Sequence, residues 1–178
     1  MTGASTDPAI SVVVCDDVSE MRKLLRYALE TDPRMQVVGE AENGREGARV
    51  IAELQPDVVL LDLSMPDMDG LETLPAISST APDTGIIIFS GFAAHRMREP
   101  ALRGGADLYL EKGLPLDEVI SAVRDVASAR RDDHPDDAPP GGGRRVAPPG
   151  GFVAAWLKRV GPALRPGVAA AIPIRLAF

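Results

Sequence analysis

Along the first 130 residues, short unbroken apolar runs alternate with stretches whose apolar positions recur every three or four residues. Ile10–Cys15 is rich in valine, the pattern of a strand covered on both faces. Glu20–Glu30 follows with Met21, Leu24, Leu25, Ala28 and Leu29 at helical spacing, and Ser19 is the expected N-cap. Val37–Ala41 reads as a second strand and Gly44–Leu54 as a second helix, ended by Pro56. The run from Asp57 to Leu63, "DVVLLDL", is a third strand, and "GLETLPAISS" a helix that Pro75 is expected to disturb. "GIIIFSG" is the fourth strand, Ala93–Gly104 the fourth helical stretch and "ADLYLEK" the fifth strand. Leu116–Arg130 is the last helix, with Leu116, Val119, Ile120, Val123 and Val126 apolar.

Strict alternation of five strands and five helices implies an α/β fold, a doubly wound parallel sheet with helices on both faces. In such sheets the functional crevice lies at the carboxyl ends of the strands. Those ends carry Asp16 and Asp17, then Asp62, then Ser90, then Lys112. The polar residues of interest therefore fall on one rim.

Composition changes the picture after Arg130. Residues 131–151 are charged and then dominated by proline and glycine, the composition of a linker, and residues 152–178 form a separate short tail. Residues 1–9 read as an N-terminal extension to a domain spanning 10–130. Residues 1–130 hold 12 Lys/Arg against 22 Asp/Glu, whereas the tail carries Lys158, Arg159, Arg165 and Arg175 and no acid. Phe152, Val153, Trp156, Leu157 and Val160 share one broad face of a possible short helix before Gly161-Pro162. Disorder is the leading expectation for the tail; a basic amphipathic segment meeting a membrane or a partner's acidic groove is weakly permitted by Trp156, Leu157, Lys158 and Arg159, with membrane contact disfavoured, and folding back onto the acidic domain is the third alternative. The tail is also too short for a complete helix-turn-helix DNA-binding domain. A net charge of −7 argues against nucleic-acid binding by bare electrostatics. The single cysteine, Cys15, excludes a disulfide framework and reads as a small core residue. No apolar run approaches the roughly 20 residues of a membrane span, and the N-terminus has no signal-peptide pattern, so a cytoplasmic location is expected.

Two adjacent aspartates at the end of a buried strand repel each other unless a cation neutralises them. With Asp62 they make a three-carboxylate site suited to Mg²⁺, which takes oxygen ligands and keeps positions open for phosphate oxygens. Asp62 is the expected acceptor of a phosphoryl group, giving an acyl phosphate. Lys112 would neutralise one phosphate oxygen, Ser90 would donate a hydroxyl to another, and the small Gly91 would leave room.

The motifs "VVVCDD", "VVLLDLSMPDMDG", "IIIFSG" and "GADLYLEKG", in that order, resemble the response-regulator receiver domain of bacterial two-component signalling, the CheY-like fold. The resemblance spans about Ile10–Arg130 and implies a five-stranded sheet of order 2-1-3-4-5. It implies Asp62 as phosphoacceptor and metal ligand, Asp17 as a direct Mg²⁺ ligand, and Asp16 as a ligand chiefly through water. The backbone carbonyl of Ser64 is the implied third ligand. Ser90 is the implied switch hydroxyl, Lys112 the site lysine and Tyr109 the switch aromatic. The implied partners are a sensor histidine kinase and a downstream protein, with a possible homodimer through the face of the fourth helix, fifth strand and fifth helix.

Three other readings stand beside this one: a pseudo-receiver that never takes phosphate, a truncated transcriptional regulator, and a phosphatase of the haloacid-dehalogenase kind. The last would place a second aspartate two residues after its nucleophile, where this chain has Ser64. His95 and His134 are too isolated for a metal site or relay. Two departures from the family pattern matter. Gly113 stands after Lys112 where many relatives have proline. Pro100 falls inside the fourth helical stretch, so that helix is expected to be kinked, short, or started near Pro100.

Overall fold

The computed structural model describes residues 9–66 and 70–132. Most of the expected N-terminal extension, residues 67–69, and the expected linker and tail from residue 133 lie outside the described residues. The described elements are β1 Ile10–Cys15, α1 Ser19–Leu29, β2 Met35–Ala41, α2 Gly44–Leu54 and β3 Val58–Leu61. They continue with α3 Gly70–Thr80, β4 Gly85–Ser90, α4 Ala94–Arg103, β5 Leu108–Glu111 and α5 Leu116–Asp132. The strands form one sheet in the order β2-β1-β3-β4-β5, every neighbouring pair parallel. This is the doubly wound α/β fold that the alternation predicts.

Strand alternation divides the core in two. Val12, Val14, Leu60, Ile87 and Leu110 point to the side covered by α1 and α5. Val13, Val59, Leu61, Ile86 and Ile88 point to the side covered by α2, α3 and α4. Each fully buried Leu or Ile is worth about 1.5–3 kcal/mol, so a one-residue slip of a central strand would forfeit both sides together. One irregularity is present: β2 carries an extra residue between the partners of Val12 and Val13. The bulge puts Val38 out of register, and it is exposed.

The structure corrects several details. Ser19 is the first helical residue of α1, not its cap; Val18 occupies the cap position without a side-chain bond. The Asp16 carboxylate instead accepts from Val18 N. A true side-chain cap occurs at Asn43, whose Oδ1 accepts from Glu46 N at the start of α2. Pro75 and Pro100 both lie inside continuous helices. In α3, buried Thr73, Leu74 and Ile77 hold the helix onto the sheet despite the lost donor. The fourth helix starts at Ala94, six residues before Pro100, so a start near Pro100 is excluded. The last helix runs to Asp132, past the expected boundary at 130. Its final turn is tied to the sheet by Arg130–Asp107 and Arg131–Asp57 ion pairs, which extend it into the expected linker. No helix among the described residues is long and apolar enough to cross a membrane.

Candidate functional site

Each site residue sits where a strand stops. Asp16 follows β1 and Asp62 follows β3; Asp62 N donates to Cys15 O at 2.9 Å, which carries the ladder one residue further. Ser90 is the last residue of β4. Lys112 follows β5, and its N–H donates to Ser90 O at 2.8 Å. Parallel pairing thus brings four strand ends to one rim, and with them residues almost 100 positions apart.

Lys112 is the hub. Its Nζ lies 2.6 Å from Asp16 Oδ2 and 2.9 Å from Asp62 Oδ2. The contact to Asp62 is a hydrogen bond, whereas the one to Asp16 is a close ion pair lacking aligned hydrogen-bond geometry. Burial alone would lower the lysine's pKa; its contacts with Asp16 and Asp62 outweigh that and raise it above the ordinary value. The ammonium therefore stays charged.

One lysine does not saturate the cluster. Ligand oxygens of Asp16, Asp17 and Asp62 all lie within 4.8 Å of one another. Asp62 Oδ1 is buried with no hydrogen-bond partner, and Asp16 Oδ2 likewise accepts no aligned bond. Asp17 is exposed at the mouth. Three carboxylates against one ammonium leave charge for a divalent cation, and the orphaned oxygens are the donor type Mg²⁺ takes. The residues present therefore fit the ion that the sequence implies. Ser64 is exposed beside them, two residues past Asp62.

The remaining residues take varied places. Ser90 is fully buried, and its Oγ accepts a long 3.4 Å bond from Phe92 N. Gly91 is exposed, and a Cβ built there would meet nothing within 4 Å of the rest of the fold. Tyr109 is 6% exposed within the α2–α3–α4 core, and its hydroxyl donates to Phe92 O at 2.8 Å. Burial raises the phenol's pKa.

Three residues escaped the sequence reading. Gly70 opens α3 directly under Asp62: a Cβ there would lie 2.3 Å from the Asp62 carbonyl oxygen. Glu111 accepts from Ala94 N and so caps α4, whose own cap residue, Ala93, has no side-chain bond to offer. Arg22 donates to Asp16 O at 2.7 Å. "MPDMDG" hinted at the first, since a turn-ending glycine is legible; the other two are contacts between elements and leave no local signal.

The model of the response regulator receiver domain matches residues 12–124. The chain belongs to this family. It carries a receiver domain of two-component signalling. It is 40% identical over 111 residues to the "Uncharacterized transcriptional regulatory protein YhcZ" of Bacillus subtilis, covering 62% of this chain and 52% of that protein. It is 34% identical over 118 residues to the chemotaxis protein CheY of Listeria monocytogenes, covering 66% of this chain and 98% of that one. Among solved structures, the receiver domain of the putative response regulator NarL from Mycobacterium tuberculosis superposes with a TM-score of 0.65 at 33% identity. That superposition covers 68% of this receiver chain and 98% of the other. The chain spans 52% of the B. subtilis regulator's length but nearly all of the CheY protein's.

Proposed function

We propose that this receiver is a phosphoacceptor switch: Asp62 takes a phosphoryl group from a histidine kinase in a Mg²⁺-dependent step in the cytoplasm. The observation that carries the reading is Asp62 itself, one oxygen held by Lys112 and the other buried and unpartnered. A carboxylate in that state is aimed and under-satisfied, which suits attack on phosphorus. The new bond joins an Asp62 oxygen to phosphorus as the bond from phosphorus to the kinase imidazole nitrogen breaks; the imidazole leaves with the electron pair and takes up a proton. Asp16, Asp17, Asp62 and the Ser64 carbonyl would hold Mg²⁺, which supplies charge neutralisation to the transferring oxygens. Lys112 and the Ser90 hydroxyl then bind the phosphate oxygens.

The output is a population shift. The loop from Gly91 to Ala93 joins Ser90 to α4, and β5 ties it down at two points, Tyr109 OH on Phe92 O and Glu111 on Ala94 N. Movement of Ser90 toward a phosphate would be felt by both ties. This makes α4, β5 and α5 the face presented to a downstream protein or to a second copy of the chain. Tyr109, 6% exposed with its hydroxyl on Phe92 O, would move into the space that Ser90 vacates. Its role as switch aromatic rests on that population shift.

Stoichiometric acceptance is favoured over turnover because Ser64 stands where an acid/base aspartate would be needed. One further reading keeps support: a receiver portion of a longer transcriptional regulator, since the B. subtilis relative is about twice the length matched. Incubation with acetyl phosphate and Mg²⁺, read by intact mass, tests the main claim. One phosphoryl group per chain, absent in Asp62→Asn, is the expected result. Full labelling of Asp62→Asn would remove Asp62 as acceptor; many turnovers would mean a phosphatase, and no response to acetyl phosphate or beryllofluoride a pseudo-receiver.

A further inference from the structure

We propose that Arg22 is a positioning residue for the metal-binding pair, acting through the peptide between Asp16 and Asp17. The inference rests on the acidic cluster being a Mg²⁺ site. Besides its ion pair with Lys112, Asp16 is held at three points: its N–H donates to Ala41 O at 3.0 Å, its Oδ1 accepts from Val18 N at 3.0 Å, and its carbonyl accepts from Arg22 Nη1 at 2.7 Å. Asp17 is different. It is exposed, and among the described residues no hydrogen bond or ion pair holds its side chain. The direction in which it leaves the chain is set by the peptide plane before it. A side-chain contact fixes that plane: the Arg22 guanidinium on the Asp16 carbonyl.

The guanidinium is itself anchored. Arg22 Nε donates to Glu40 Oε2 at 3.2 Å, and Arg26 Nε, one turn further along α1, donates to Glu40 Oε1 at 2.7 Å. Arg26 also reaches Val37 O at 2.9 Å. Glu40 on β2 is thus a post shared by two arginines of α1. A planar fork that donates in two fixed directions is needed to join the post to the carbonyl; a lysine is a single flexible point and cannot hold both. Charge alone would work against the site, since a cation beside the cluster repels Mg²⁺. Glu40, together with Glu30 on Arg26, offsets the charge of the two arginines, so the favourable contribution of Arg22 is geometric.

The test compares wild-type, Arg22→Lys and Arg22→Met full-length chains by calorimetric Mg²⁺ titration, thermal melting and acetyl phosphate labelling. Outer-shell partners typically change metal affinity by about 10–100-fold, and a backbone contact belongs at the low end, about tenfold weaker binding for Arg22→Met. The lysine variant should fall nearly as far, because it keeps the charge and loses the fork. Labelling should need more Mg²⁺ for half-maximal rate while the rate at saturating Mg²⁺ stays near wild type. Wild-type Mg²⁺ affinity in both variants, with only a lowered melting point, would make Arg22 a mere anchor of α1 and overturn the proposal. Wild-type affinity in Arg22→Lys alone would overturn it in favour of charge. If Arg22→Met does not fold, the lysine variant decides. A wild-type chain that binds no Mg²⁺ would sink the functional reading itself, a distinct outcome from the others.

Discussion

The two rims of the sheet handle the same chemistry in opposite ways. At the rim where strands begin, the buried Asp107 and the half-buried Asp57 and Asp32 are closed off. Asp107, 2% exposed, takes Arg130 on both oxygens at 2.6 and 2.8 Å and Ile86 N at 2.7 Å. Asp57 takes Ser11 N, Ser11 Oγ and Arg131; Asp32 takes Arg34 and Arg124. At the rim where strands end, Asp16 and Asp62 share a single lysine, and an oxygen of Asp62 is left over. Closed pairs join elements, since an arginine fork uses up the acceptor capacity of its partner. Open carboxylates cost stability and keep capacity for a ligand. The comparison separates what holds the molecule together from what it does.

The strongest way to break that comparison is at the closed rim. Arg130→Met leaves Asp107 buried without its countercharge, and the cost should be about 3–5 kcal/mol in urea denaturation. The stoichiometry of Asp62 labelling in the folded protein should not change; if it does, the rims are not independent. A pH series sharpens the contrast. Asp32 is held below the usual carboxylate range, chiefly by hydrogen bonds from Arg34, so its contribution is present above the unfolded pKa of about 3.9 and fades as pH falls below it. Lys112 is raised, so its contribution is present below the unfolded pKa of about 10.4 and is lost as pH climbs through the folded value. Melting curves should therefore lose the Asp32 contribution in acid and the Lys112 contribution in alkali, and Lys112→Met should flatten the alkaline side. The smallest effect concerns two glycines near the open rim. Gly113 has φ +113°, so Gly113→Ala should cost about 1 kcal/mol, whereas Gly91→Ala, facing open space, should stay within about 0.5 kcal/mol. Equal costs at both positions would mean that backbone conformation is not what selects glycine there.

Gly113 also accounts for a departure from the family pattern. Proline, held near φ −65°, cannot adopt the backbone found there. The prolines that are present show the reverse limit of sequence reading. Pro75 and Pro100 speak against helix locally, yet both sit in helices: around Pro75 the burial of Thr73, Leu74 and Ile77 outweighs the lost hydrogen bond, whereas α4 buries only Ala101. The fourth helix, with no side-chain cap of its own, also borrows Glu111 from the neighbouring strand.

Element type, element order and the rim carrying Asp16, Asp17, Asp62, Ser90 and Lys112 were all legible in the chain. Hydrophobic period and strand-end position are local properties, written in consecutive residues. The strand order, legible through the family resemblance, is the one found. The sharing of Lys112 between two carboxylates, the fit of Gly70 under Asp62 and the reach of Arg22 to Asp16 O were decided only by folding. Each depends on distances between segments far apart in sequence, and packing alone brings those within a few ångströms.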